Sequence, residues 1–263
     1  MDATRRSSRA GNGSNRSQIY ALQEKGTQSI RFERVSLKYD NGRTVFDDFS
    51  MEVEHGQVTC LMGSSGIGKT TLLRMAAGLV KPTAGTIYRE NPERMGYVFQ
   101  EPRLLPAKNV LDNVRWVLNG EKDEEKNRMA LELLMEADLS TALHDYPDQL
   151  SGGMKQRVAV VRAFVTTPGL LFMDEPFQSL DAATRQDMHR LFLRLWEREK
   201  PTVIVVTHDL EEALTLGTRI VVLDGKPAII KADVSAATTD KHGRTGFSEP
   251  IKARLRQINF RNG

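Results

Sequence analysis

Residues Gly63–Thr70 read G-S-S-G-I-G-K-T, and Leu150–Arg157 read L-S-G-G-M-K-Q-R. The first octet fits the phosphate-binding loop pattern G-x-x-x-x-G-K-[S/T]. Gly63, Gly66 and Gly68, with Ser64, Ser65 and Ile67 between them, let consecutive backbone N–H groups turn inward on a phosphate. Lys69 adds a point charge toward the β- and γ-phosphates, and the Thr70 hydroxyl, with Thr71 beside it, is placed to ligate Mg²⁺. Alone, this octet indicates a nucleotide site. The second octet narrows it. Ser151 is a good helix N-cap, and Gly152-Gly153 expose backbone N–H groups at a helix start, which makes an anion site. A chain with one complete phosphate cradle needs a second only for a second triphosphate or a second subunit. The economical arrangement is a head-to-tail dimer in which Ser151 and Gly153 of one copy cap the γ-phosphate held by the other.

Working outward, Ile30–Val35 and Val45–Val53 have strand patterns, with the turn signal Asp40-Asn41-Gly42 between them. Gln57–Met62 is an apolar strand running into the first octet, and Thr70–Ala77 is a helix stopped by Gly78. Gly85–Arg89 and Met95–Phe99 read as further strands. Helical periodicity follows in Glu124–Ala137 and through Met154, Val158, Val161 and Val165. Strand and helix then alternate: Leu170–Met173, Ala182–Glu199, Thr202–Val206, Leu210–Leu216 and Arg219–Leu223. This alternation predicts a largely parallel sheet covered on both faces, with a helical subdomain near 100–166 standing off it.

Three strand tips then point at the crevice where α/β ligands sit. Leu170–Met173 runs into Asp174 and Glu175. Asp174 is expected to hold Mg²⁺, and Glu175 to orient or deprotonate an attacking water. Gln100 follows Met95–Phe99, and its amide oxygen can reach the metal or that water. His208 closes Thr202–Thr207 and is expected to donate to the γ-phosphate. Tyr39, on a loop ahead of Gly63, either stacks on adenine or is an ordinary strand-end aromatic. Asp181, in Ser179-Leu180-Asp181, suits the dimer seam or a helix N-cap, and the two roles are compatible.

The bulk composition is consistent with one large domain, or a core plus a subdomain. The chain has 263 residues, 40% of them hydrophobic, and a single cysteine. Cys60 rules out an internal disulfide framework and reads as a buried structural thiol in a reducing compartment. No apolar stretch approaches the ~20 residues that span a bilayer, and the N-terminus lacks a secretory core segment. Net charge is +3, carried unevenly: both ends are basic and the middle is acidic. Residues 1–18 are Ser/Arg/Gly/Asn-rich and read as disordered, and 226–263 as a basic C-terminal extension. Each is expected to be a solvated tail rather than a membrane or nucleic-acid contact.

The set Gly63–Thr70, Gln100, Leu150–Arg157, Asp174-Glu175, Ser179–Asp181 and His208 resembles the ATP-binding subunit of ABC transporters over about Ile30–Leu223. The resemblance implies an α/β fold of the P-loop NTPase type, with a mostly parallel central sheet, an antiparallel β subdomain and a helical subdomain. It implies ATP and Mg²⁺ as ligands, hydrolysis in a two-site sandwich dimer, and two separate transmembrane permease subunits docked beside Gln100 at the cytoplasmic face of the membrane. Val98–Pro106 (V-F-Q-E-P-R-L-L-P), Val110–Asn113, Phe177–Asp181 and Thr207–Ala213 are similar to the nitrate/sulfonate/taurine importers, which implies an extracytoplasmic solute-binding protein. Ala107, Gln178 and Ser179 depart from that group's usual Trp, Gly and Ala. Two competing readings are a non-transport ABC ATPase acting on ribosomes or nucleic acid, and a nucleotide-binding module without turnover. One cassette rather than two, no long insertion between Lys69 and Asp174, and the presence of Glu175 and His208 speak against them. An export or lipid-trafficking system is a further alternative, and the absence of a span, together with the E-P-R-L-L-P match at Glu101–Pro106, favours import.

Overall fold

The computed structural model describes residues 28–118, 123–236, 238–239 and 245–258. The N-terminal stretch expected to be disordered lies outside these. In chain order the first elements are β1 (Gln28–Lys38), β2 (Thr44–Glu54), β3 (Val58–Met62), helix α1 (Lys69–Ala76), β4 (Ala84–Arg89) and β5 (Met95–Val98). Helices α2 (Val110–Arg115), α3 (Asp123–Glu136) and α4 (Gly152–Phe164) come next. The chain then alternates through β6 (Leu170–Asp174), α5 (Ala182–Glu199), β7 (Thr202–Val206), α6 (Leu210–Leu216) and β8 (Arg219–Asp224). It continues with β9 (Ile229–Ser235), β10 (Thr238–Thr239), β11 (Thr245–Gly246) and α7 (Glu249–Gln257).

The expected α/β class holds. A six-stranded sheet has the order β5-β6-β7-β3-β8-β9, parallel except for the antiparallel β8–β9 pair. A separate antiparallel sheet has the order β2-β1-β4. Strands β3, β6 and β7 are buried on both faces, as parallel strands covered by helices are. Alternation along β3 sends Val58, Cys60 and Met62 into a core shared with α4, α5 and α6. Leu61 goes the other way, to a core shared with α1 and the antiparallel sheet. Cys60 is fully buried, and that burial pushes its thiol pKa up, out of the reactive range.

Helix α2, absent from the sequence reading, is started by Asn109, whose Oδ1 accepts from Asp112 N at 2.8 Å. Buried Asn113 then secures the preceding loop. Its Oδ1 accepts from Leu105 N at 2.7 Å, and its Nδ2 lies within reach of the carbonyls of Leu105, Lys108 and Asn109 at 3.2, 2.8 and 3.0 Å. The segment after Gln100 is therefore a fixed loop.

The described part of the C-terminal extension is not a solvated tail. β9 adds an antiparallel edge to β8, and Phe247 and Leu255 are buried in the larger core. α7 packs on α6, where Arg256 Nη2 donates to Glu211 Oε1 at 3.1 Å. Arg254 and Arg256 are exposed around the two apolar anchors Phe247 and Leu255, which the charge count conceals.

Candidate active site

The chain leaves β3 at Met62 and turns at once. At Gly63 (φ 143°) a Cβ would stand 2.5 Å from the Leu223 carbonyl oxygen, and at Gly68 (φ 118°) 2.6 Å from Val45 Cγ1. Only glycine fits either place. Lys69 opens α1 buried, its Nζ donating to the carbonyls of Gly63 at 2.8 Å and Ser64 at 3.0 Å. Burial lowers its pKa, opposed by Glu175 and Asp174. Ile67 anchors the loop in the core below. Ser65, Gly66, Thr70 and Thr71 line a cavity of about 510 Å³. At its mouth Tyr39 is 42% exposed, with its hydroxyl 3.2 Å from that of Thr71. An aromatic half in water beside the phosphate loop has a face available for stacking.

Sheet order explains what else converges here. β7 lies beside β3 and β6 beside β7, so both C-terminal tips stand on the same side of the loop. Thr70 Oγ1 donates to Asp174 Oδ1 at 2.8 Å. Among the described residues no group of three or more His, Cys, Asp or Glu side chains is arranged to hold a metal. One hydroxyl and one carboxylate suit Mg²⁺, which takes few protein oxygens and completes its shell with water and phosphate. Burial raises the Asp174 pKa, with the Thr70 hydrogen bond acting against it. A carboxylate held uncomfortably in this way gains from a cation.

Without divalent cations, the native state therefore keeps the Asp174 proton more tightly than the unfolded chain does. Stability falls as pH rises through the window between the ordinary aspartate range and the raised value. Asp174→Asn keeps an acceptor for Thr70 and removes the charge. It is expected to raise cation-free stability and to flatten this pH slope. Urea unfolding in chelator across that window measures both. Equal slopes in the two proteins would refute the assignment.

Glu175 follows directly, with φ 45°, a left-handed conformation that a non-glycine residue adopts at a cost. Its N–H donates to the Val206 carbonyl at 3.0 Å, which pins the turn to β7. Glu175 Oε2 lies 3.0 Å from His208 Nδ1. The histidine expected to face the γ-phosphate is thus paired with the carboxylate, and both line the cavity. Nε2 remains available for a ligand.

Gln100 departs from expectation. Its Nε2 donates to Gln178 Oε1 at 2.6 Å, and it does not line the cavity. β5 is the sheet's edge, three places from β3, so its tip stands further from the loop than those of β6 and β7. Gln178 does line the cavity, as does Arg43, whose guanidinium donates to the Gly66 carbonyl. Neither was anticipated as a site residue.

Ser151, Gly152 and Gly153 do not meet the phosphate loop of their own chain. With Ser179 and Asp181 they line a second open cavity, of about 660 Å³. Ser151 caps α4, its Oγ accepting from Met154 N at 3.3 Å. Asp181 caps α5 through Oδ1, which accepts from Ala183 N at 3.1 Å and Thr184 N at 3.0 Å.

Comparison with known proteins agrees with this geometry. The family model described as ABC transporter matches residues 46–178. The aliphatic sulfonates import ATP-binding protein SsuB 1 of Agrobacterium fabrum is 38% identical over 240 residues, covering 91% of this chain and 87% of that one. An SsuB 2 of Streptomyces avermitilis is 46% identical over 196 residues, 74% of this chain and 77% of that one. Among solved structures, the ATP-binding cassette MJ0796, a dimer in a post-hydrolysis state with ADP and Pi, has a TM-score of 0.69 at 31% identity, covering 78% of this chain and 98% of that one. CbiO1 of Clostridium perfringens, part of the complex cbiONQ, shares the fold with a TM-score of 0.72 at 24% identity, over 81% and 89% of the two chains. The phosphate loop, the carboxylates at the tip of β6 and these similarities agree: the chain belongs to the ABC transporter family, as an ATP-binding subunit.

Proposed function

We propose that this subunit hydrolyses ATP in a sandwich dimer and thereby drives import of a small sulfonate-like solute through separate permease subunits at the cytoplasmic face of a membrane. The observation that carries the reading is spatial. The phosphate loop, Glu175 and His208 share one cavity, while Ser151–Gly153 open onto another. A second copy, turned head to tail, brings the capped N-terminus of its α4 over the first copy's phosphates.

On ATP binding, Lys69 exchanges the carbonyls of Gly63 and Ser64 for phosphate oxygens, and Tyr39 stacks on the adenine. Thr70 and Asp174 would hold Mg²⁺, which when bound offsets charge on the β- and γ-phosphate oxygens. Glu175 orients the attacking water and takes its proton as the oxygen bonds to the γ-phosphorus and the bond to the bridging oxygen breaks. His208 holds Glu175 in position through Nδ1 and presents Nε2 toward the γ-phosphate. Gln100 and the Asn113-braced loop after it form the surface that the permeases touch.

Among the described residues no helix is long and apolar enough to cross a membrane, so the solute path belongs to other chains. The solute class is taken from the relatives named above, and with it an extracytoplasmic solute-binding protein. None of those names points to nucleic acid or ribosomes. Deleting the gene in its own host is expected to abolish uptake of radiolabelled alkanesulfonate, with restoration by the wild-type gene. The tagged chain should co-purify with a multi-span membrane protein. Unchanged uptake of alkanesulfonate would overturn the solute class. Co-purification with ribosomes or nucleic acid in place of a membrane protein would overturn transport.

A further inference from the structure

Behind the Glu175–His208 pair, α5 and α6 are joined by an arginine that none of the chemistry above uses. Arg185 lies one turn into α5, after the Asp181 cap. Its Nη2 donates back to the Leu180 carbonyl at 2.9 Å, and its Nη1 reaches Asp209 Oδ2 at 3.3 Å. Asp209 is the residue after His208. Its other oxygen, Oδ1, caps α6 by accepting from Glu211 N at 2.9 Å and Glu212 N at 3.2 Å. The guanidinium therefore spans two loops: the one that lines the Ser151 cavity and the one that carries His208. Among the described residues its Nε is buried without an acceptor, beside a small cavity of about 30 Å³ that Glu175 and His208 also line. Buried donors are nearly always paired, and exceptions concentrate where function sets the geometry.

We infer that Arg185 is a positioning residue that couples the loop at Leu180–Asp181, where a second copy docks, to His208 and through it to Glu175 in the same chain. The inference deepens the sandwich-dimer reading and rests on it. When the partner presses on Asp181, the Leu180 carbonyl moves. Arg185 is bonded to that carbonyl and to Asp209, so it transmits the displacement to the turn holding His208. Closure over one nucleotide thus sets the geometry of hydrolysis at the other. A second tie, His189 Nε2 to Glu212 Oε2 at 3.4 Å, keeps α5 and α6 in register without reaching either loop.

The test uses the purified full chain. Arg185→Met keeps the apolar stem and removes both donors. Asp209→Asn keeps Oδ1 as the α6 cap and turns an amide donor toward Arg185 in place of Oδ2. Each is expected to lower kcat about tenfold, leave the KM for ATP within about twofold, and move the Hill coefficient for ATP toward one. The double variant should be no worse than either single one, and Arg185→Lys should recover part of the loss. Wild-type kcat and cooperativity in Arg185→Met would overturn the inference. So would additive losses, or a loss of ATP binding and Tm together, which marks a purely structural role. Glu175→Gln, with and without Arg185→Met, separates this failure from that of the dimer reading. If ATP dimerises neither protein, the sandwich itself is wrong and the inference falls with it. If both dimerise, Arg185 acts after closure, as inferred.

Discussion

Glu175→Gln is expected to lower ATP turnover by about 10²–10⁴, the range a positioned general base supplies, while nucleotide binding stays near wild type. The substitution is close to isosteric. The Glu175 N–H still donates to the Val206 carbonyl, so the left-handed turn after β6 is retained. A glutamine oxygen can still meet His208, whose Nδ1 lies 3.0 Å from the carboxylate. What disappears is basicity. The cradle of Gly63, Ser64 and Lys69 is untouched, so triphosphate binds and is not cleaved. If two copies close over two nucleotides, the closed state should then accumulate. Phosphate release, equilibrium binding of a fluorescent ATP analogue, and size-exclusion chromatography with and without ATP measure the three effects. Turnover within threefold of wild type would remove Glu175 from the chemistry. Lost turnover with an unchanged elution volume would retain the base and reject the trapped dimer.

That a single carboxylate could be picked out in advance reflects how parallel sheets are written. β3, β6 and β7 are buried on both faces and so appear as unbroken apolar runs. Each run ends abruptly in glycine or in polar residues: Gly63, Asp174-Glu175, Thr207-His208. The runs do not state their sideways order. Gln100 stands at a strand tip like the others, yet β5 is the edge strand, and its tip meets Gln178 instead of the cavity floor. Arg43 and Arg185 were invisible for a related reason. Each is one polar residue in a turn or on a helix whose partner lies far along the chain, and periodicity reports faces, not partners. The C-terminal segment failed differently. In β9, Ala232 and Val234 pack on the larger core and Ile230 on the other, with Lys231 and Asp233 exposed, and α7 is held by Phe247 and Leu255. So little apolar content reads as solvated until β8 provides a surface for it.

Ser151→Asp makes the second large prediction, because it separates the helix from the phosphate it is proposed to meet. Within one chain the change is benign. Ser151 caps α4 by accepting from Met154 N, and aspartate is as good an N-cap. Its charge also suits the positive end of a helix with no acidic residue in its first turn. The side chain stands at an open cavity, so nothing is displaced. Stability should therefore be unchanged or slightly higher, and ATP should bind the phosphate loop as before. Between chains the same carboxylate would stand against the partner's γ-phosphate. Like charges brought together at an interface cost several kcal/mol. Dimer closure and turnover should then fall by about 10² or more, since each 1.4 kcal/mol is a factor of ten. Combined with Glu175→Gln, the substitution should abolish the ATP-trapped dimer. Ser151→Ala provides the control, losing the cap and some stability while adding no charge, and it should retain far more activity. If Ser151→Asp hydrolyses ATP as fast as the wild type, the α4 N-terminus never faces a nucleotide. The anion site beside Asp181 would then have to serve something other than a second copy of this chain.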